Sequence, residues 1–208
     1  MRIAGLAKWR PYQVRRLRRR VERAGAAVCL HLGCGEVYLN GWINVDVAGG
    51  DPVPDVILDL RRGLPLPDQC ADLIFSEDVL EHLDLASGRR LLVDCHRVLR
   101  PGGVMRLVTP NLRSFAQAYL DRDEATLAWY RAELGCESFA EMLNAGLRAW
   151  GHQFLHDADS LTDRLKQIGF DPRRRQFQSS DEQRLRGLDR RNADEGAHSM
   201  YFDCYKAD

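Results

Sequence analysis

The stretch from Cys29 to Val47, CLHLGCGEVYLNGWINVDV, places a glycine pair between two short apolar runs. The runs predict two strands joined by a turn, and Gly33 and Gly35 let the turn approach a ligand closely because they carry no Cβ. Asp46 stands at the end of the second run. In an open α/β sheet, ligands bind beyond the carboxyl ends of the strands, where an acid can accept hydrogen bonds from ribose hydroxyls. The stretch therefore predicts a site for a ribose-bearing ligand.

The spacing within this stretch does not fit a dinucleotide. The dinucleotide fingerprint is G-x-G-x-x-G with an acid about 20 residues further on, whereas the third glycine position is Tyr38 and Asp46 arrives early. No crossover helix fits between Gly35 and Trp42, so a pyrophosphate would lack the helix N-terminus that it normally uses. This disfavours a nicotinamide-dependent oxidoreductase. S-adenosylmethionine carries no phosphate and fits the two-glycine turn better.

Strands alternate with helices along most of the chain, which implies a Rossmann-like, doubly wound, mostly parallel α/β sheet with helices on both faces. The last two strands follow each other without a long crossover helix, so we expect an antiparallel strand near one edge. We interpret residues 1–208 as a single domain with a helical cap at 111–150. The predicted strands are 27–32, 42–47, 54–58, 71–76, 104–108, 170–178 and 198–206, and the predicted helices include 11–24, 87–99 and 159–168.

Composition indicates a globular protein of the cytoplasm. Hydrophobic residues make up 45% of the chain and charged residues 29%. No run approaches 18 apolar residues, so we expect no membrane-spanning helix, and the N-terminal region lacks the pattern of a secretory signal. None of the six cysteines forms a CxxC pair, which argues against zinc and against a redox dithiol. We therefore predict reduced thiols and no metal site.

Charge is concentrated at the N-terminus, although the formal net charge is zero. The first 23 residues hold nine Arg or Lys and a single acid, Glu22. Residues 1–25 are predicted to contain a basic helix whose apolar stripe, Val14, Leu17 and Val21, docks on the body of the domain. We hypothesise that this helix is a lid over the ligand cleft and that its arginines recruit an anionic acceptor.

Six segments, in order, resemble class I S-adenosylmethionine-dependent methyltransferases, and specifically the small type 11 group. The resemblance spans about residues 28 to 170. The INVD strand, preceded by Asn40-Gly41-Trp42, is also similar to a subgroup often associated with bacterial polysaccharide gene clusters. The segments are HLGCG (31–35), INVD (43–46), DL (59–60), LPLPDQCADLIFSEDVLEHL (64–83), RVLRPGG (97–103) and DSLTDRLKQIGF (159–170).

The resemblance implies S-adenosylmethionine as the cofactor and assigns residues to it. The glycine turn would face the methionine part and the ribose, an acid would bind the ribose hydroxyls, an acid–leucine pair would face adenine, and two residues after strand four would line the cleft near the methionine part. These residues are, in order, Gly33, Cys34 and Gly35; Asp46; Asp59 and Leu60; Ser76 and Glu77. Asp59 also fits a simpler role as a helix-capping residue. The chain departs from the family at His31, where an acid is usual.

Two histidines are candidates for catalysis. His152 follows the predicted cap, which begins at the end of strand five and would cover the cleft. His82 lies on a short helix after strand four, in VLEHL. A hydroxyl acceptor needs a base to take its proton, whereas a thiol or an arene carbon can react without one. His152 is the first candidate for this base and His82 the second, although either side chain could instead serve packing alone.

The sequence predicts methyl transfer to a small-molecule or glycan-intermediate acceptor, at oxygen. One alternative is a nucleic-acid methyltransferase, suggested by the basic N-terminus. Enzymes that methylate exocyclic amines resemble one another in a [DN]PP[YF] motif after strand four, where this chain reads SEDV. A second alternative is a non-catalytic module that binds S-adenosylmethionine. The presence of both Asp46 and Asp59 argues against such a decayed site.

Overall fold

The computed structural model describes residues 10–25, 27–191 and 198–207, which form one seven-stranded sheet with flanking helices. Three short 3₁₀ turns, at Leu60–Arg62, Leu80–His82 and Ala149–Gly151, lie beside the carboxyl ends of the strands. The strands are β1 (Cys29–Leu32), β2 (Ile43–Asp46), β3 (Val56–Ile57), β4 (Ala71–Glu77), β5 (Leu99–Pro110), β6 (Phe170–Arg175) and β7 (Ser199–Lys206). The helices are α1 (Pro11–Ala24), α2 (Leu85–Val98), α3 (Leu112–Leu120), α4 (Glu124–Leu134), α5 (Phe139–Arg148) and α6 (Ala158–Ile168).

The strand order is β3-β2-β1-β4-β5-β7-β6. Strands β1 to β5 pair in parallel, while β7 is antiparallel to both β5 and β6. This confirms the predicted fold class, including the antiparallel strand near one edge. The chain order reverses between β1 and β4, and such a switch point leaves a crevice at the carboxyl ends of the strands.

Strand β5 is longer than predicted because it begins before the proline–glycine segment and not after it. Asp84 caps α2 by accepting hydrogen bonds from the backbone N–H groups of Ala86 and Ser87. The helix ends at Val98, and Leu99 already pairs with Ala71 of β4. The register then shifts before β4 and β5 resume regular pairing. Proline and glycine thus end the helix without ending the extended backbone.

Helix α1 forms as predicted, but the lid hypothesis for it is wrong over the described residues. Leu17 and Val21 insert into the main hydrophobic core, and the Gln13 side chain accepts a hydrogen bond from the backbone N–H of Ile57 in β3. Arg20 pairs with the buried Asp55 at 2.7 Å. These contacts hold the helix along the β2–β3 side of the sheet. No residue of α1 lines the cleft described below, and the first nine residues of the predicted arm lie outside the described residues.

Helices cover one face of the sheet and irregular segments cover the other. On the first face, α1, α2 and α6 share a core with alternate residues of β1, β2, β4, β5 and β7. On the second face, Phe75 and Tyr201 belong to a smaller cluster packed against Leu39, Trp42 and Leu185. The prediction of helices on both faces is therefore met on one face only. The connection from β1 to β2 is too short for a crossover helix, so chain without regular structure fills the space.

A buried arginine joins this second face to the segment that covers it. Arg106, in the middle of β5, is fully buried. Its guanidinium bonds to both carboxylate oxygens of Asp189 and, at 3.0 Å, to Asp203 of β7. It also donates to the backbone carbonyls of Gln176 and Ser179. One side chain thereby satisfies the buried backbone of a segment that has no sheet or helix of its own.

Helices α3, α4 and α5 pack around a hydrophobic cluster of their own, and they lie where the helical cap was predicted. Phe115 of α3, Tyr130 of α4 and Met142 of α5 are its buried centre. The N-terminus of α5 carries a reciprocal capping box between Ser138 and Glu141. Across the described part of the chain, every helix falls short of the length and apolarity that crossing a bilayer requires.

Candidate functional site

A cleft of ≈ 1630 Å³ opens at the carboxyl ends of β1, β2 and β4 and is closed on one side by the cap. It therefore lies at the switch point of the sheet, where ligands of α/β proteins bind. Most of the sequence-predicted site residues line it. These are Gly33, Cys34, Gly35, Asp46, Asp59, Leu60, Glu77, His82 and His152.

The two glycines of the β1–β2 turn have different surroundings. Both have positive φ, +71° at Gly33 and +50° at Gly35, a conformation that side-chain-bearing residues adopt at a cost. A Cβ on Gly33 would stand 2.1 Å from Cγ2 of Val79, whereas a Cβ on Gly35 would meet nothing within 4 Å. Gly33 therefore makes room for the loop after β4. Gly35 leaves open space on the cleft side of the turn.

Asp46 holds the glycine turn in place from the end of β2. One carboxylate oxygen accepts from the backbone N–H of Gly35 at 2.8 Å, and the other accepts from Ala48 at 3.2 Å. The backbone N–H groups of Gly33 and Cys34 both donate to the Val45 carbonyl. A carboxylate has about four lone-pair sites, so these two bonds leave acceptor capacity on the half-buried Asp46 side chain.

Asp59 lines the cleft but is also a helix cap, the simpler of its two predicted roles. Its side chain accepts from the backbone N–H of Arg61 and forms a two-point ion pair with the Arg61 guanidinium, at 2.8 and 2.6 Å. These hydrogen bonds lower the pKa of the Asp59 carboxyl. Leu60 follows in the 3₁₀ turn and is buried at the cleft wall. An adenine amino group here would share an acceptor that Arg61 already engages.

Ser76 and Glu77 end up on opposite faces of β4, because successive side chains of a strand alternate. Phe75 and Glu77 line the cleft, whereas Ser76 is buried and does not. Glu77 accepts hydrogen bonds from the backbone N–H groups of Arg190 and Arg191 at 2.9 and 3.0 Å. Burial raises the pKa of the Glu77 carboxyl. Glu77 thus joins the segment after Asp189 to the edge of the cleft.

His31 occupies the position where an acid was expected by resemblance, and it is buried. Its Nδ1 lies 3.0 Å from Oδ1 of Asn44, and its ring stacks on Phe75 with 5.1 Å between centroids. Asn44 Oδ1 already accepts from the Leu39 backbone, so Nδ1 of His31 is the donor. Burial lowers the pKa of His31. Burial also raises the pKa of the neighbouring Cys34 thiol to about 11, so this thiol is not an activated nucleophile.

The two predicted catalytic histidines meet in the cleft. The rings of His82 and His152 stand edge to face with 5.1 Å between centroids. Nδ1 of His152 lies 2.9 Å from the Gly146 carbonyl, which can only accept, so Nδ1 is the donor and Nε2 takes no part in this bond. Burial lowers the pKa of His82, and the neighbouring His152 contributes in the same direction. A neutral imidazole is the form that accepts a proton or binds a metal.

Glu81, next to His82, is a site residue that the sequence reasoning missed. It is 1% exposed and lines the cleft beside both histidines. Thr109 donates to one of its carboxylate oxygens at 3.0 Å, and burial raises the pKa of the carboxyl. The backbone carbonyl of Glu81 accepts from the backbone N–H groups of Gln153 and Phe154. These hydrogen bonds hold the segment that follows His152 against Glu81. The adjacent acid and histidine in VLEHL were the available signal.

Aromatic residues of the cap form the remaining wall of the cleft. Phe115, Trp129 and Tyr130 line it from α3 and α4, and Trp150 lines it from the 3₁₀ turn after α5. Trp150 adopts φ +56°, and its ring lies 5.7 Å from that of His152. Large apolar walls with a few converging polar groups are typical of small-molecule sites.

Part of the chain matches a known protein family. Residues 30–107 match the family described as a methyltransferase domain. A probable S-adenosylmethionine-dependent methyltransferase of Mycolicibacterium smegmatis is 31% identical over 152 residues, which cover 60% of this chain and 53% of that protein. A protein of the same description from Mycobacterium tuberculosis is 30% identical over 138 residues, covering 58% and 48%. The chain thus spans about half the length of the curated relatives it matches.

Solved structures resemble the whole fold. An S-adenosylmethionine-dependent methyltransferase from Archaeoglobus fulgidus superposes with a TM-score of 0.53 at 18% identity and covers 94% of each chain. One from Mesorhizobium loti has a TM-score of 0.53 at 16% identity, covering 90% of this chain and 96% of that one. At these identities the likeness concerns the fold alone.

Proposed function

We propose that this chain, which carries a class I methyltransferase domain of the type 11 group with S-adenosylmethionine as cofactor, transfers a methyl group from that cofactor to an acceptor. Its acceptor is a small molecule or a glycan intermediate, methylated at a hydroxyl oxygen. The observation that carries the proposal is the glycine turn closed by Asp46 at the switch point of the sheet. Asp46 offers hydrogen-bond acceptors to ribose hydroxyls, and the glycine backbone beside it leaves room for a ligand to approach.

The residues present fit this cofactor. Gly35 leaves the space that a Cβ would fill, and Asp46 keeps acceptor capacity for ribose hydroxyls. Leu60 gives an apolar surface for adenine, while Asp59 offers its amino group an acceptor already shared with Arg61. Gly33 and Cys34 belong to the same turn, and Glu77 lies at the next strand end. Ser76 is left out of this assignment because it is buried away from the cleft.

The chemistry requires positioning more than acid–base power. When bound, the cofactor supplies a methyl group already activated by a positive sulfur. The protein has to hold the acceptor oxygen about 3 Å from that carbon and keep water out. The aromatic wall of the cap serves both needs, and His82 and His152 act on the acceptor's hydroxyl, whose proton has to leave. The exposed Arg190 at the cleft favours an acceptor that carries a negative group.

Calorimetric titration tests the cofactor assignment. We expect binding of S-adenosylhomocysteine and none of NAD. Asp46→Ala should weaken S-adenosylhomocysteine binding by about 1.5–3 kcal/mol because ribose hydroxyls lose their acceptor. Asp163→Ala, which removes an exposed acid of α6, is the control and should leave affinity unchanged. NAD binding without S-adenosylhomocysteine binding would refute the proposal.

Acceptor screening tests the reaction itself. Release of S-adenosylhomocysteine from S-adenosylmethionine is measured against a panel of sugars, sugar phosphates, nucleotide sugars and phenols, with single-stranded RNA and DNA as further members. We expect turnover only with hydroxyl-bearing small molecules, and faster turnover with phosphorylated ones. Turnover on nucleic acid alone would replace the proposed acceptor class. Cofactor binding with no turnover on any member would favour the non-catalytic module.

A further inference from the structure

Three side chains in the cleft stand close enough together to share one metal ion. Glu81, His82 and His152 each offer one ligand atom, and these atoms lie within 4.8 Å of one another. We propose that they bind one divalent first-row transition-metal ion, which receives the acceptor's hydroxyl oxygen. This inference rests on the proposed function and specifies how that hydroxyl is activated.

Glu81 gives an observation independent of the spacing. One of its carboxylate oxygens accepts from Thr109, but Oε1 is buried and has no hydrogen-bond partner among the residues that the structure describes. Burying a carboxylate oxygen away from water without a new hydrogen bond costs about 1–3 kcal/mol or more. A cation beside Glu81 would supply the missing partner. Asp78 adds a second negative charge near this carboxylate and is itself held by Arg191.

The histidines are oriented in the manner of metal ligands. Nδ1 of His152 donates to the Gly146 carbonyl, and Nδ1 of His82 lies beside the backbone of Gly151. Metal-binding histidines almost always use their second nitrogen in this way, which fixes the ring and leaves the other nitrogen for the ion. Both backbone partners belong to the end of α5 and the turn after it. The cap thus aims both rings at the cleft.

The donor set selects the class of ion. Two imidazole nitrogens with one carboxylate suit zinc, manganese, cobalt or iron in the divalent state. Ligand atoms at about 2.1 Å from a shared ion stand at most about 4.2 Å apart, so a side-chain adjustment of about half an ångström closes the site. Three protein ligands leave positions open for an incoming oxygen.

The open position explains what the ion does in the reaction. An acceptor hydroxyl bound to a divalent cation loses its proton to solvent more readily than a free hydroxyl. The oxygen then forms its bond to the methyl carbon as the carbon–sulfur bond breaks, and the sulfur keeps the electron pair as a neutral thioether. No oxidant or reductant is needed. His82 and His152 hold the ion, so neither has to take the proton itself.

Metal binding by the whole chain is the test. Chelator-treated protein is titrated with Co²⁺ and followed by its visible absorption, and with Zn²⁺ by calorimetry. We expect one ion per chain, and no sulfur-to-cobalt charge-transfer band, because the ligands are nitrogen and oxygen. Glu81→Gln, which keeps the acceptor for Thr109, and His152→Asn should each weaken binding more than about 10-fold, since losing even an outer-shell partner costs that much. His96→Ala, on α2 and outside the cleft, should bind as the unaltered protein does.

Two results would overturn the metal site: no binding by the unaltered chain, or equal binding by the chain and both ligand variants. Because the unaltered chain is decisive by itself, a variant that fails to fold does not rescue the proposal. S-adenosylhomocysteine binding is measured on the same metal-free samples. If the protein binds S-adenosylhomocysteine but binds no metal, the metal inference fails and the proposed function stands. If the protein does not bind S-adenosylhomocysteine, the proposed function fails as well.

Discussion

Single residues in the cleft divide into those that sequence patterns could predict and those that they could not. Asp46 was predictable because it ends an apolar run just after a glycine turn, and the fold itself then brings the two together. The attachment of Asp59 to Arg61 depends on the geometry of a 3₁₀ turn three residues long, which leaves no periodic signal. The adjacent acid and histidine in VLEHL marked Glu81, but its buried oxygen without a partner among the described residues is a property of the packed structure.

The glycine turn allows a prediction at this scale. Gly33→Ala should destabilise the protein by roughly 1–3 kcal/mol, because its Cβ collides with Val79 in addition to the strain of positive φ. Gly35→Ala should cost less stability, with only the backbone strain, but should weaken S-adenosylhomocysteine binding. Gly187→Ala is the control, because Gly187 has φ +78° with open space at its Cβ position and the substitution adds backbone strain alone. Urea unfolding and calorimetry measure the two effects, and a Gly35→Ala protein that binds normally would show that the cofactor does not approach this turn.

At the scale of elements, the boundaries of α1 and the helical character of the cap followed from periodicity and capping residues. Periodicity could not reveal where the cap helices would pack. Gly146 of α5 is buried against Phe115 of α3, where a Cβ would stand 2.7 Å from the ring. The same residue's carbonyl holds His152. Contact between two cap helices is therefore linked through one glycine to a histidine of the cleft.

Gly146→Ala tests this link. The added methyl group should force α3 and α5 apart and lower the free energy of unfolding by about 1–2 kcal/mol, after the gain in helix propensity is subtracted. Metal affinity should fall as well, because the carbonyl that orients His152 moves. Asn144→Ala, at an exposed position of the same helix, should change stability by less than about 0.5 kcal/mol. Unfolding in urea provides the first readout, and normal stability of Gly146→Ala would mean that the cap yields easily at this contact.

Across the whole molecule, the mostly parallel character of the sheet followed from the alternation of strands and helices, whereas the order of its strands and the covering of its second face did not. Residues 176–191 carry few apolar residues in a regular pattern, so their position could not be read from periodicity. They are held by the polar contacts of Arg106, which reach residues far apart in the chain. Long-range pairs of this kind are invisible to local patterns.

Arg106→Ala should destabilise the whole protein by about 3–5 kcal/mol, because it takes the cation from the buried carboxylate of Asp189 and leaves the buried Asp203 with Arg175 alone. Arg106→Lys should recover little, since an ammonium cannot bond to both acids and two carbonyls at once. Arg113→Ala removes a pair whose side chains are 71% and 77% exposed, and should change stability by less than about 0.5 kcal/mol. Chemical denaturation of the three variants gives the comparison, and similar midpoints for Arg106→Ala and Arg113→Ala would contradict it.

The place of β7 bears on how the protein is made in the cell. β7 follows β6 in the chain yet lies between β5 and β6, so Ser199–Lys206 must leave the ribosome before β6 can join the sheet and before β5 gains its second neighbour. Until then one edge of β5 has no strand beside it, and Arg106 lacks its ion-pair partner Asp203. Unpaired edges are templates for association with other chains. The interval before β7 emerges is therefore the stage of synthesis at which the edge of β5 is most open to association with other chains.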